Sequence, residues 1–182
     1  GTGGSASGTG NNNYGIQVLG QIQTTSGSIN MTGTGSDSSG GANHGISISG
    51  GADVQTSGAG SLTINGGGGN SSGGSSHGVL ITGTGTNFGK TGTGAGTVSI
   101  TGTTGPGGSS NAGVYIDTNA SIASWDGALI VDGVGNGSAS TTGSHGVILD
   151  TGAMLLSTSG AITIVGAGAA STSAGNHGIS VA

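Results

Sequence analysis

The sequence predicts an all-β fold: a right-handed parallel β-helix of about five coils, each with three short strands and a long Gly/Ser loop. Three observations lead there. A Gly-apolar-x-apolar phrase occurs six times, at Gly15-Ile-Gln-Val, Gly45-Ile-Ser-Ile, Gly78-Val-Leu-Ile, Gly113-Val-Tyr-Ile, Gly146-Val-Ile-Leu and Gly178-Ile-Ser-Val, at intervals of 30, 33, 35, 33 and 32 residues. Within each interval two further apolar segments recur in the same order, which is the mark of a repeat array. The polar remainder is Gly, Ser, Thr and Asn, with 47 Gly, one Pro and only 4% charged residues.

The first strand of each repeat has apolar residues two apart, as at Ile46 and Ile48, Val79 and Ile81, Val114 and Ile116, or Val147 and Leu149. That spacing puts both side chains on one face of a strand and the residue between them on the other. A Gly or Asn turn leads to the second strand, centred on Ile22, Val54, Phe88, Ile122 and Leu155. In three repeats a small residue (Ala52, Ala120 or Ala153) precedes that apolar residue by two and faces the same way. The third strand returns to paired apolar residues, Ile29 and Met31, Leu62 and Ile64, Val98 and Ile100, Leu129 and Val131, Ile162 and Ile164, bracketed by Gly. Stretches rich in Gly, Ser and Asn (34–43, 67–76, 103–111, 134–144 and 167–176) connect back to the first strand.

A single repeat buries four or five such side chains. At roughly 1.5–3 kcal/mol each they do not offset the ordering of about 30 residues at 1–2 kcal/mol apiece. Stacking solves this, because each strand lies on its counterpart about 4.8 Å away and the inward columns merge into one core. Parallel crossovers are nearly always right-handed. No six-residue period suggests a left-handed hexapeptide helix, and no Gly-Gly-x-Gly-x-Asp suggests a calcium-binding nonapeptide roll. Collagen is excluded because Gly does not recur every third residue and Pro is nearly absent.

Lys90 is the only basic residue and the formal net charge is -5, so the chain has no electrostatic footprint for nucleic acid or an anionic membrane surface. It has no cysteine, hence neither disulfides nor thiolate metal ligands. No apolar run approaches the roughly 20 residues that a membrane-spanning helix needs. The chain opens with Gly1 in mid-repeat and has no polar cap at either end. These features lead to the expectation that residues 1–182 are one solenoid segment of a longer array or fibre.

The unit His44-Gly-Ile-x-Ile-x-Gly-Gly-Ala-x-Val-x-Thr-Ser-Gly-x-Gly-Ser-Leu-Thr-Ile-x-Gly66 resembles the repeats of filamentous haemagglutinin-like, autotransporter-type β-helix adhesins and giant bacterial surface proteins. The resemblance extends over nearly the whole chain. It implies a rod-like extracellular or cell-surface protein and no catalytic residues.

Four kinds of candidate position stand out. His44, His77, His145 and His177 each precede the Gly that opens the first strand, with Tyr14 and Ala112 at that place in the other repeats. Stacked imidazoles converge poorly on a metal, so these residues are expected to form a structural corner ladder, each ring packing on the next and donating to a turn carbonyl. Asp117 and Asp150 share one offset and should lie on adjacent rungs, pointing outward as turn carboxylates. They are also weak cation-site candidates and the only hint of glycosidase chemistry; Asp132 on the third strand and Asp126 in the preceding turn are candidates for a weak Ca²⁺ site. Leu80, Tyr115 and Ile148 are outward residues of three successive first strands, and with Met154 and Leu156 they form a candidate contact face. The outward residues of the third strands are an irregular mixture rather than the flat Thr array of an ice-binding surface. Asn30, Asn70, Asn119 and Asn136 open Asn-x-Ser/Thr triplets, which carry little weight in so Asn- and Ser-rich a chain.

The expectation is a non-enzymatic structural solenoid without a cofactor, secreted and self-associating into an extracellular filament or surface layer. Its partner is either further copies or the rest of a longer solenoid. The alternative is an adhesin stalk or tip that binds glycans or a host surface; an enzyme acting on polysaccharide and an ice-binding protein rank below both. A nearly complete lack of Lys and Arg leaves trypsin-like proteases little to cut, which suits exposure outside a cell.

Overall fold

The structure is a computed structural model that describes residues 1–4, 8–137 and 141–182. Part of the 134–144 stretch and Ser138 of the Asn136 triplet lie outside the described residues. Sixteen strands run in a repeating order of three and no described residue is helical. The first strands are β1 (Ile16–Val18), β4 (Ile46–Ile48), β7 (Val79–Thr82), β10 (Ala112–Asp117), β13 (His145–Leu149) and β16 (Ile179–Val181). The second strands are β2 (Gln21–Thr24), β5 (Asp53–Thr56), β8 (Asn87–Lys90), β11 (Ser121–Ala123) and β14 (Met154–Leu156). The third strands are β3 (Ile29–Thr34), β6 (Leu62–Gly67), β9 (Val98–Thr103), β12 (Leu129–Val134) and β15 (Ile162–Ala167).

Each class forms its own parallel sheet, ordered β1-β4-β7-β10-β13-β16, β14-β11-β8-β5-β2 and β15-β12-β9-β6-β3. Three parallel sheets stacked coil on coil make a β-solenoid of about five turns. The register is that of the sequence phrase: Ile46 pairs with Val79 and Ile48 with Ile81, while Leu62 pairs with Val98 and Ile64 with Ile100. Apolar columns therefore continue from coil to coil, and Ile46, Ile48, Leu62, Ile64, Phe88, Ile100 and Ile122 are fully buried.

The turn from the first to the second strand uses two left-handed residues in succession: Gly50-Gly51, Thr118-Asn119 and Thr151-Gly152. The following amide closes it, with Ala120 N–H donating to Asp117 O (3.1 Å) and Ala153 N–H to Asp150 O (3.0 Å). This is the type I′ pattern, for which Gly and Asn are the cheapest occupants. Ala52 and Ala120, the closing residues, are buried in the core.

Past the core, the first and third strands meet backbone to backbone. A Cβ on Gly45 would lie 2.7 Å from Gly33 O, one on Gly78 2.7 Å from Gly66 O, and one on Gly113 2.6 Å from Gly102 O. The Gly of each phrase is thus required by close approach, a reason more specific than bracketing a strand.

Beyond this seam the Gly/Ser stretches form a second, polar interior. Ser36, Ser71, Ser76, Asn111 and Ser144 are buried there. Coil-to-coil backbone bonds order the stretches, as from Ala42 N–H to Gly74 O (3.1 Å), Ser75 N–H to Ser109 O (3.1 Å) and Ser110 N–H to Thr142 O (2.9 Å). The donors in this series, with Asn12 before them, have left-handed φ of 52° to 60°, and Gly143 and Gly175 continue the column.

Candidate functional site

The four histidines and Tyr14 lie on one edge of the solenoid, where the polar lobe joins the first sheet. Tyr14 stacks on His44 with ring centroids 5.2 Å apart, His44 on His77 at 5.0 Å, and His145 on His177 at 5.2 Å. The expected ladder is therefore present, but its hydrogen bonding runs opposite to expectation. The His77 N–H donates to His44 Nδ1 (3.1 Å), the Ala112 N–H to His77 Nδ1 (2.9 Å) and the His177 N–H to His145 Nδ1 (3.3 Å). The imidazoles of His44, His77 and His145 each accept from the next coil, in place of the expected donation to a turn carbonyl. The reason is geometric: first-strand amides point along the coil axis, straight at the ring below. An accepting Nδ1 leaves the ring proton on Nε2 and the imidazole neutral. Burial reinforces this, pushing His44 down to about 4 and His77 to about 3, with the His44 and His145 charges adding to the effect on His77.

A second ladder, missed in the sequence, runs beside the first. The residue before each histidine position is Asn13, Asn43, Ser76, Asn111, Ser144 or Asn176. The Asn13 N–H donates to Asn43 Oδ1 (3.0 Å), Asn43 N–H to Ser76 Oγ (3.0 Å), Ser76 N–H to Asn111 Oδ1 (2.7 Å) and Ser144 N–H to Asn176 Oδ1 (2.8 Å). The Asn side-chain amides close their own loops, as from Asn43 Nδ2 to Gly40 O (2.9 Å) and Asn111 Nδ2 to Gly107 O (2.7 Å). The signal was available as an alternation of Asn and Ser at one phase of the repeat.

Both ladders break at the same step. Ala112 supplies no ring between His77 and His145, and Ser144 Oγ, which would continue the Asn/Ser series on the coil after Asn111, is buried without a partner. Tyr115 turns edge-on to His77 (centroids 5.0 Å apart, planes at 73°) and closes the stack from that side. Beside it lies an open cleft of about 300 Å³ lined by His77, Tyr115, Gly143, His145, Ile148 and Asp150. The Tyr115 hydroxyl donates to Asp150 Oδ2 (3.3 Å). Burial and then the Asp117 and Asp150 charges push this phenol up to about 12, so it stays protonated as a donor.

Asp117 and Asp150 sit on adjacent rungs as expected, and their first role is in the turns they open. The Thr151 N–H donates to Asp150 Oδ1 (2.8 Å) and the Thr118 N–H to Asp117 Oδ1. Asp126 lies at the turn between the second and third strands, accepting from the Ser159 hydroxyl (3.1 Å) and the Gly94 N–H (3.3 Å). Among the described residues no three His, Cys, Asp or Glu side chains are grouped to hold a metal.

The expected contact face divides in two. Leu80, Tyr115 and Ile148 are register partners on the first sheet and are half-buried, and Ser47 on the same outward column is buried. Met154 and Leu156 belong to β14 of the second sheet, where they are 46% and 48% exposed. Leu156 instead lines a recess with Ala123 and Trp125. The 150–153 turn separates the two sets because it carries the chain from one sheet to the next.

Lys90 is 2% exposed at the end of β8, and its ammonium donates to Gly60 O (2.9 Å) and Gly58 O. Thr56 occupies the same place one coil earlier and caps Gly27 O (2.8 Å). Burial lowers the Lys90 pKa, and the Asp126 charge opposes that. The sole basic residue is thus a corner cap. Lys90→Met should cost about 2–3 kcal/mol in urea unfolding, because two turn carbonyls lose their donor. A loss below about 0.5 kcal/mol would refute the capping role.

Comparison with protein-family models, curated proteins and solved structures finds no match for this chain.

Proposed function

We propose that the chain is a structural, non-enzymatic β-solenoid of an extracellular filament or cell-surface layer, and that its activity is axial stacking of like coils, supplied by further copies or by the rest of a longer solenoid. One observation carries this reading. Every coil pairs with the next in one register, so the apolar columns through Leu62, Val98 and Leu129 and through Ile46, Val79 and Val114 run along the axis and each coil is buried by its neighbours. A parallel stack of this kind accepts a further coil of the same geometry with no new kind of contact. Addition of parallel strands is head-to-tail, and such contacts extend into filaments unless rotation closes them. The resemblance to adhesin-type surface repeats fits this role and the cell-surface setting.

The test is sedimentation and electron cryomicroscopy of the 182-residue chain over a range of concentrations. Rods that lengthen with concentration and show a repeat near 4.8 Å are expected, and Ile179→Lys with Val181→Lys should keep them short. Folded particles of one 16.5 kDa chain at every concentration would overturn axial association. An adhesin stalk is the second reading, favoured by the cleft beside Ala112. A monomeric chain that captured immobilised glycans would support it.

A further inference from the structure

We infer that the cleft between His77 and His145, on the rung where the ladder has Ala112, is a binding site for a planar cation of the guanidinium class, as carried by an arginine side chain of a partner protein. This goes beyond axial association and does not depend on it. The chain contains no arginine, so a second copy cannot fill the site in this way.

Shape is the first argument. The ladder repeats rings every 5.0–5.2 Å, and Ala112 removes one ring from the column between His77 and His145. Tyr115 stands edge-on to His77 in that rung, and the cleft beside it opens to solvent between His77 and His145. Its volume of about 300 Å³ accommodates a guanidinium head with part of its aliphatic stem, for which Ile148 supplies apolar wall.

Charge is the second. The Asp150 carboxylate lines the cleft and Asp117 stands one rung away, both close enough to act on the Tyr115 hydroxyl. The sole basic side chain, Lys90, is held by turn carbonyls at the end of the second strand. The Asp150 carboxylate accepts from Tyr115 through one oxygen and from Thr151 through the other, and Oδ2, whose one bond is long at 3.3 Å, has capacity for another donor.

The imidazole and phenol supply the third. Their neutral rings present π surface to a cation, and guanidinium stacks on such surfaces while pairing with a carboxylate in its own plane. An ammonium is compact and strongly hydrated and has no flat face to place in the gap.

The proposal is tested by titrating the ¹⁵N-labelled chain with n-butylguanidinium and, separately, n-butylammonium, following amide shifts. Saturable shifts are expected at Ala112, Tyr115, Gly143 and Ile148 with the guanidinium, at least about ten-fold tighter than with the ammonium. Ala112→His, which restores the missing ring, should abolish them. Asp150→Asn retains an oxygen that can accept from Thr151 N–H, so it should preserve the turn while weakening binding about ten-fold. It decides the matter should Ala112→His fail to fold. Non-saturating shifts, equal response to the two cations, or unchanged binding in Asp150→Asn would overturn the assignment.

Discussion

Acidification from pH 6.5 to 5 is expected to destabilise the chain by about 3 kcal/mol, through His44 and His77 alone. Both imidazoles are neutral in the fold, at about 4 and about 3, against an unfolded value near 6.5. Their folded pKa values are depressed, so the unfolded chain binds more protons throughout the interval between. The stability they contribute is complete above pH 6.5 and is lost as pH falls toward 4 and then 3, at roughly 1.4 kcal/mol per unit for each ring. The structural cause is specific: protonation would place a proton on the Nδ1 that accepts the next coil's amide. It would also set two like charges 5.0 Å apart, a repulsion of about 3 kcal/mol at an effective dielectric constant of 20.

The sequence pI is about 4.7, so net charge diminishes over the same range and general repulsion would fall. A decline in stability therefore opposes the global charge effect and reports the ladder. Urea unfolding at pH 6.5 and 5 measures it. The His44→Asn, His77→Asn variant should lose most of the pH dependence, because the Asn carbonyl accepts the same amide without titrating in this range. Equal stability of the native chain at the two pH values would contradict the account.

Gly102→Ala is expected to cost at least about 3 kcal/mol and to unfold the chain near ambient temperature if its margin is small. The new methyl would overlap Gly113 O and lie 2.9 Å from Val114 Cγ2. The obstacle is the backbone of a paired strand, which cannot rotate aside as a side chain can. Moving it would disturb β10 and its partners on both sides, β7 and β13. Gly20→Ala is the control: nothing lies within 4 Å of its Cβ position, and the change should remain within about 0.5 kcal/mol. Thermal melts of the two variants compare them directly. Similar melting temperatures would show that the seam between the first and third strands can open without loss.

The histidine ladder and the adjacent-rung aspartates were legible because they recur at one phase of the repeat, and recurrence at one phase means stacking. The direction of the histidine hydrogen bonds was not legible, since a ring that could donate or accept has the same spacing in sequence. The Leu80, Tyr115 and Ile148 column was found by alternation along the strand. Met154 and Leu156 lie on β14 of the neighbouring sheet, exposed across the 150–153 turn from that column, and alternation along one strand does not say how two sheets are angled to each other. Lys90 was read only as a charge; its spacing resembles that of any exposed lysine, and only its phase with Thr56 hinted at a cap.

The strands, their parallel pairing, their register and the apolar columns follow from the sequence alone. In a solenoid each residue meets its equivalent one repeat away, so the interval is already the contact map, and two-residue spacing already names the inward face. Only the tertiary structure decided what happens at the corners. There the chain leaves the strand period, and the contacts of Gly102 with Gly113, of Lys90 with Gly60 and of Tyr115 with His77 and Asp150 depend on how turns of different length bring unlike positions together. The cleft at Ala112 arises in the same way. One missing ring is visible in sequence, but which neighbouring side chain turns toward its rung is not, and in the fold Tyr115 stands edge-on to His77 there.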